Sequence, residues 1–164
     1  MISHAYVVAR FPDPDHLLPA VEAVKRCSGV LRWDAVEGQH HLVLKVSLEG
    51  AELPCGISSL PGVGAMHRFD IETDDEGGAQ IDPDACHGYV YVDTEPEARE
   101  RVHDMMKADP QVVFCSMTTG ECDIVALLRG GTFEELEADI AGRLRAMDGV
   151  LRLKHDWVIN LSHL

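Results

Sequence analysis

An internal repeat constrains this chain more than any other feature. His4-Ala5-Tyr6-Val7 returns as His87-Gly88-Tyr89-Val90, an offset of 83 from His4 to His87. Glu37-Gly38 returns near Thr119-Gly120, an offset of 82 from Gly38 to Gly120. Leu60-Pro61-Gly62-Val63 returns as Met147-Asp148-Gly149-Val150, an offset of 87 from Gly62 to Gly149. A chain that repeats its pattern at this spacing builds one supersecondary unit twice.

The unit reads as βαββαβ. In the first copy, residues 5–11 form a strand stopped by Pro12 and Pro14, and a helix follows with Asp13 or Asp15 as N-cap. Leu17, Val21 and Val24 share its apolar face, and Pro19 imposes a late start or a kink. Residues 30–36 and 41–48 are the next strands, with Leu42, Leu44, Val46 and Leu48 on one face. Residues 50–60 hold at most a short, poor helix, because Pro54 and Gly56 interrupt it, and residues 62–71 are a fourth strand. The acidic stretch from Glu72 to Gly78 reads as a linker or exposed turn.

The second copy is cleaner. Residues 88–93 form a strand, and Thr94 with Glu97 suggests a capping box for a helix whose inner face is Ala98, Val102, Met105 and Met106. Strands follow at 112–117 and 124–128. Thr132 with Glu135 caps a further helix that points Phe133, Leu136, Ile140, Leu144 and Met147 inward and stops at Gly149. Leu151, Leu153, His155, Trp157 and Ile159 then alternate along a final strand. Each copy should be a four-stranded antiparallel sheet with helices on one face. The bare faces of the two sheets are expected to bury each other.

Composition narrows the function classes. The 164 residues carry 14 Lys and Arg against 28 Asp and Glu, for a net charge of −14. Direct nucleic-acid binding is therefore not expected, because phosphate attraction needs a basic face. No apolar run is long enough to span a membrane, and no signal segment is evident at Met1. Five scattered cysteines without a CxxC pair suggest reduced thiols and a cytoplasmic location.

Chemistry gathers at one place in the second copy. Thr119-Gly120 supplies a turn, and Glu121, Cys122 and Asp123 sit at the lip before the apolar run from Ile124 to Leu128. An ordinary hairpin with a polar rim would look the same. The first copy offers Gly38, Gln39, His40 and His41 at the matching turn.

From His87 to Leu161 the pattern resembles the ligand-binding module of the Lrp/AsnC regulators, also called RAM. Thr119-Gly120 and Asp123 fall at its T-G-x-x-D positions. The resemblance extends weakly to residues 5–71, where Gly38 persists and His41 replaces the aspartate. It implies an α+β fold of two ferredoxin-like βαββαβ repeats, of the dimeric α/β-barrel type, packed as an intrachain pseudo-dimer. The divisions would be residues 1–71, an acidic linker at 72–86, and residues 87–164. The chain begins in its first strand, so the family's DNA-reading helix-turn-helix is not expected in it.

The resemblance also implies a small effector, commonly an amino acid, bound near the turn. Backbone N–H groups around Gly120 would take its carboxylate. Asp123 would take its ammonium group, with Glu121 and Cys122 tuning the pocket. In the first copy Gly38, Gln39, His40 and His41 would be a remnant or a different pocket. The module would form a homo-oligomer, a dimer of chains, and act with a DNA-binding regulator. An oligomerisation or adaptor role is the alternative.

His40-His41, Cys122-Asp123, His4, His87, Cys86 and Cys115 include metal-ligating types, but their spacing matches no zinc signature. A metal-binding variant is thus a lesser alternative; no metal and no cofactor are expected. No nucleophile with an adjacent base, paired carboxylates or phosphate-binding glycine loop is evident, so no catalytic residue is assigned and an enzyme is not expected. The weighed exception is a dimeric α/β-barrel small-molecule enzyme.

Overall fold

The computed structural model describes residues 3–159. These divide into two compact units, residues 3–71 with residue 159, and residues 72–158. The fold is α+β, and each unit repeats one strand topology, as the sequence predicts.

In the first unit β1 (Ser3–Arg10) leads through a single 3-10 turn into α1 (Leu17–Lys25), then β2 (Val30–Gly38), β3 (Leu42–Leu48) and β4 (Ala65–Glu76). The antiparallel sheet order is β4-β1-β3-β2, with Ala5 opposite Val46 and Asp70, and Trp33 opposite Leu44. Asp13 caps the entry by accepting the Asp15 N–H at 3.0 Å. Pro19 falls in the first turn of α1, where its missing N–H has no helical partner to lose, so the helix starts late and runs straight through. Only a 3-10 turn at Ile57–Ser59 stands where a second helix would lie. The core is one face of the sheet against α1, with Val7, Leu42, Leu44 and Val46 meeting Val21 and Val24.

The second unit is β5 (Cys86–Thr94), α2 (Arg99–Lys107), β6 (Val112–Thr119), β7 (Ile124–Gly130), α3 (Phe133–Asp139) and β8 (Val150–Ile159). Its sheet order is β8-β5-β7-β6, again antiparallel throughout. Val90, Val92, Ala126 and Leu153 pack under Val102, Met106, Leu136 and Ile140. The Thr132 hydroxyl accepts the Glu135 N–H at 3.1 Å, and Glu135 in turn accepts the Gly131 N–H at 3.1 Å, so the predicted capping device forms. After α3 the helix widens into a single π turn at Ile140–Leu144.

Three expectations are corrected. Thr94 does not cap α2: its backbone N–H is used elsewhere, and a 3-10 turn at Pro96–Ala98 starts the helix. The inward arc of α2 is Ala98, Val102 and Met106, with Met105 49% exposed and His103 buried in its place. The imidazole tolerates burial because the Cys115 carbonyl and the Asp75 carboxylate lie 3.3 and 3.4 Å from its Nε2.

The acidic stretch expected to be a linker is also corrected, since residues 72–76 complete β4. Arg99, His103 and Lys107 repeat every four residues along α2 and so line one face. Glu72 pairs with Arg99 at 3.0 Å and Asp75 with Lys107 at 3.4 Å, while Asp74 accepts the Ser116 hydroxyl at 2.8 Å. Carboxylates that would unravel a strand in isolation are held here by cations one helix away.

Candidate functional site

The turn between β6 and β7 is built by the glycine and then pinned from three sides. Gly120 has φ +110°, a conformation that L side chains rarely adopt, so the strand reverses there and nowhere nearby. The Thr118 hydroxyl donates to the Cys122 carbonyl at 2.8 Å, and the Thr118 N–H to the Asp123 carbonyl at 2.9 Å. The Asp123 N–H reaches the Val92 carbonyl at 3.0 Å. Its carboxylate Oδ2 accepts the Thr94 N–H at 2.9 Å, tying the turn to the end of β5.

Arg99 closes the third side. Its Nη2 donates to the Thr118 carbonyl at 2.6 Å, its Nε lies 3.5 Å from the Asp123 carbonyl, and its Nη1 meets Glu72 at 3.0 Å. Thr119, Gly120 and Glu121 stand exposed above this frame, Asp123 is half-buried, and Cys122 turns into the core. The Cys122 thiol lies 3.0 Å from the Ile124 carbonyl, and burial pushes its pKa up to about 12. It is a packing group at neutral pH. Sequence reasoning missed Arg99, Thr118, Thr94 and Glu72; the four-residue spacing of Arg99, His103 and Lys107 was the available signal for the first.

The turn of the first unit repeats this framework with one exchange. Gly38 has φ +138°. The His41 N–H reaches the Ala9 carbonyl at 2.9 Å and the Val36 N–H reaches the His41 carbonyl at 2.9 Å, the counterparts of the Asp123–Val92 and Thr118–Asp123 bonds. Where Asp123 accepts the Thr94 N–H, His41 Nδ1 accepts the Phe11 N–H at 2.9 Å. A ring nitrogen accepts only when it carries no proton, so this imidazole holds its hydrogen on Nε2. Arg10 Nη1 donates to the Gln39 carbonyl at 2.7 Å, Gln39 is exposed and His40 is half-buried.

This equivalence gives a direct test. His41→Ala leaves the buried Phe11 N–H without its partner, a loss of about 1–3 kcal/mol, and Asp123→Ala does the same to Thr94. Asparagine presents Oδ1 at the same reach, so His41→Asn and Asp123→Asn should recover most of the loss in urea midpoints. Equal loss for alanine and asparagine would show that the bond contributes nothing.

A separate concavity of about 680 Å³ lies at the opposite end of β7, between residues 78–85 and the ends of β6 and β7. Its cation, Arg129, is already engaged by the Gln80 carbonyl at 3.0 Å and Asp82 at 3.5 Å. Among the described residues no three His, Cys, Asp or Glu side chains gather as a metal site, and no helix is long and apolar enough to cross a membrane.

Residues 88–160 match the family model of the Lrp/AsnC ligand binding domain. That stretch spans most of the second unit, which is thus similar to this domain. Of the T-G-x-x-D residues, Gly120 reverses the turn and Asp123 pins it, while Thr119 stands exposed. No curated protein matches the chain by sequence.

Solved structures extend the comparison beyond that domain. The siroheme decarboxylase NirDL is similar over 97% of this chain and 72% of its own, at 9% identity and a TM-score of 0.78. An anthrone oxidase-like protein is similar over 97% of this chain and 91% of its own, at 10% identity and a TM-score of 0.59. A putative monooxygenase from Fusobacterium nucleatum is similar over 96% and 90%, at 11% identity and a TM-score of 0.50. Identities this low establish a shared fold. They also correct the expectation that the chain is not an enzyme, because a siroheme decarboxylase carries this fold over nearly the whole length of this chain. A missing local motif does not exclude catalysis, because catalytic partners can be far apart in the chain.

Proposed function

We propose that the second unit binds a small zwitterionic effector of the amino-acid class at the 118–123 turn. The chain then acts as a regulatory sensor, through a dimer of chains and a DNA-binding partner. The observation that carries this reading is the state of Asp123. One carboxylate oxygen is fixed by Thr94, and no described residue claims the other. Glu72, Asp93 and Glu121 stand around the same turn against Arg99 and Arg152, whose guanidinium groups are paired to Glu72 and Asp93. A locally negative rim with one oriented, available carboxylate oxygen suits an ammonium group. The exposed backbone at Thr119 and Gly120 allows a carboxylate to approach.

The test uses Asp123→Asn, which keeps the acceptor for Thr94 and removes the charge. Wild type is expected to gain thermal stability with one or more amino acids, about 2.7 kcal/mol at a hundredfold excess over Kd. The variant should melt near the free wild type and lose that gain. Failure of every amino acid at millimolar concentration, or a full shift in the variant, overturns the assignment. Light scattering on the same samples reads the dimer.

A second reading rests on the similarity to NirDL across 97% of the chain. It makes the protein an enzyme acting on a tetrapyrrole carboxylate. Incubation with siroheme, followed by mass spectrometry for loss of carbon dioxide, decides it.

A further inference from the structure

The five cysteines fall into two classes. Cys115 and Cys122 are buried, and burial pushes both thiols up to about 12, so neither reacts at neutral pH. Cys27, Cys55 and Cys86 reach the surface, and two of these three meet. Cys27 follows α1, Cys55 lies in the loop between β3 and β4, and the Cys27 sulfur is 3.7 Å from the Cys55 carbonyl oxygen.

Three further observations show that the encounter is built rather than incidental. A Cβ added to Gly29 would fall 2.5 Å from Pro54 Cγ, so the Pro54 ring packs directly on the glycine of the 27–29 turn. The Gly29 carbonyl also accepts the Ser47 N–H at 2.8 Å, fixing that turn to β3. On the other side, the Ile57 N–H bonds the Pro54 carbonyl at 3.2 Å around Cys55 and Gly56, with Gly56 at φ +89°. Both cysteines thus sit on hydrogen-bonded turns that face one another.

We propose that Cys27 and Cys55 are a thiol pair that a hydroperoxide converts to an intramolecular disulfide. A carbonyl oxygen lies about 2.4 Å from its own Cα, which places the Cys27 sulfur within about 6 Å of the Cys55 Cα. Rotation of the Cys55 side chain and a small shift of its exposed turn close the remaining distance. The Cys55 thiolate, on the more exposed residue, attacks a peroxide oxygen. The O–O bond breaks, the peroxide leaves as alcohol or water, and Cys55 becomes a sulfenic acid. The Cys27 thiolate then attacks the Cys55 sulfur and expels water. Two thiols give up two electrons and two protons, and the peroxide is reduced. The product cross-links α1 to the β3–β4 loop and closes the chain between residues 27 and 55, which restricts the unfolded state.

The experiment treats the native full chain with a slight excess of hydrogen peroxide, quenches, denatures, alkylates free thiols and maps peptides without reduction. The expected product is a linked Cys27–Cys55 peptide, two hydrogens lighter than the sum of its parts, with Cys115 and Cys122 alkylated. The oxidised protein should melt at a higher temperature, and dithiothreitol should return it to the starting value. Cys27→Ser should divert Cys55 to sulfinic acid, with no change in melting temperature. Recovery of Cys55 as sulfinic acid in the wild type with Cys27 still alkylated overturns the proposal. So does a linkage that joins two chains, or one that involves Cys86.

Discussion

Gly149→Ala is expected to remove about 2–5 kcal/mol of stability, adding about 1–2 for a left-handed L residue to about 1–3 for overpacking. Gly149 has φ +96°, and a Cβ there would fall 2.4 Å from the Cβ of Ala98, itself buried at the start of α2. Neither partner can retreat. The Gly149 carbonyl accepts the Glu95 N–H at 2.9 Å, so the turn into β8 and the start of α2 are fixed together. Against the roughly 5–15 kcal/mol typical of a domain, this threatens the folded state. Gly50 is the control, because its φ is +63° but nothing lies within 4 Å of an added Cβ. Gly50→Ala should therefore cost only the conformational part, about 1–2 kcal/mol. Urea midpoints of the two variants decide the matter, and equal losses would refute the packing argument.

Alkaline pH should destabilise the protein steeply above about pH 9. Burial raises the Cys115 and Cys122 thiols from 9.0 to about 12, in each case as the leading cause. Burial, and then the Asp156 carboxylate, also raises the Tyr91 phenol well above 10.0. A group whose folded pKa is raised keeps its full contribution below the unfolded value and loses it as pH climbs towards the folded one. At pH 11 each thiol has lost about 2–3 kcal/mol, at 1.36 kcal/mol per unit of pKa difference. The two together remove about 5 kcal/mol, and the tyrosine adds to this above pH 10. Urea midpoints between pH 7 and pH 11 should fall accordingly. A double variant, Cys115→Ala with Cys122→Ala, should start lower, because it opens cavities, yet fall less between pH 9 and pH 11. Parallel curves for the two proteins would mean that other groups govern the alkaline limb.

The repeat was legible in the residues because each copy carries its own punctuation. Gly38 and Gly120 mark the same turn, and both have the positive φ that only glycine takes without strain. The alternation along β3 and the four-residue spacing of Ala98, Val102 and Met106 marked the core faces, since burial is enforced at every turn of a helix and every second residue of a strand. The Thr132–Glu135 cap was legible for the same local reason: the donor and acceptor are three residues apart.

What the sequence could not decide is where partners distant in the chain would meet. Glu72 to Glu76 look like linker until Arg99, Lys107 and Ser116 are seen to take their carboxylates. Thr94 looks like a cap until Asp123, 29 residues away, is found holding its N–H. His41 for Asp123 looks like the loss of a site, yet Nδ1 performs the carboxylate's structural task at the same 2.9 Å. The sequence determined which residues turn, pair and bury, because backbone conformation and hydrophobic period are local. Only the tertiary structure decided which polar groups satisfy one another, because a hydrogen bond depends on distance and direction in space, and a substitution that preserves both is invisible in the residue's name.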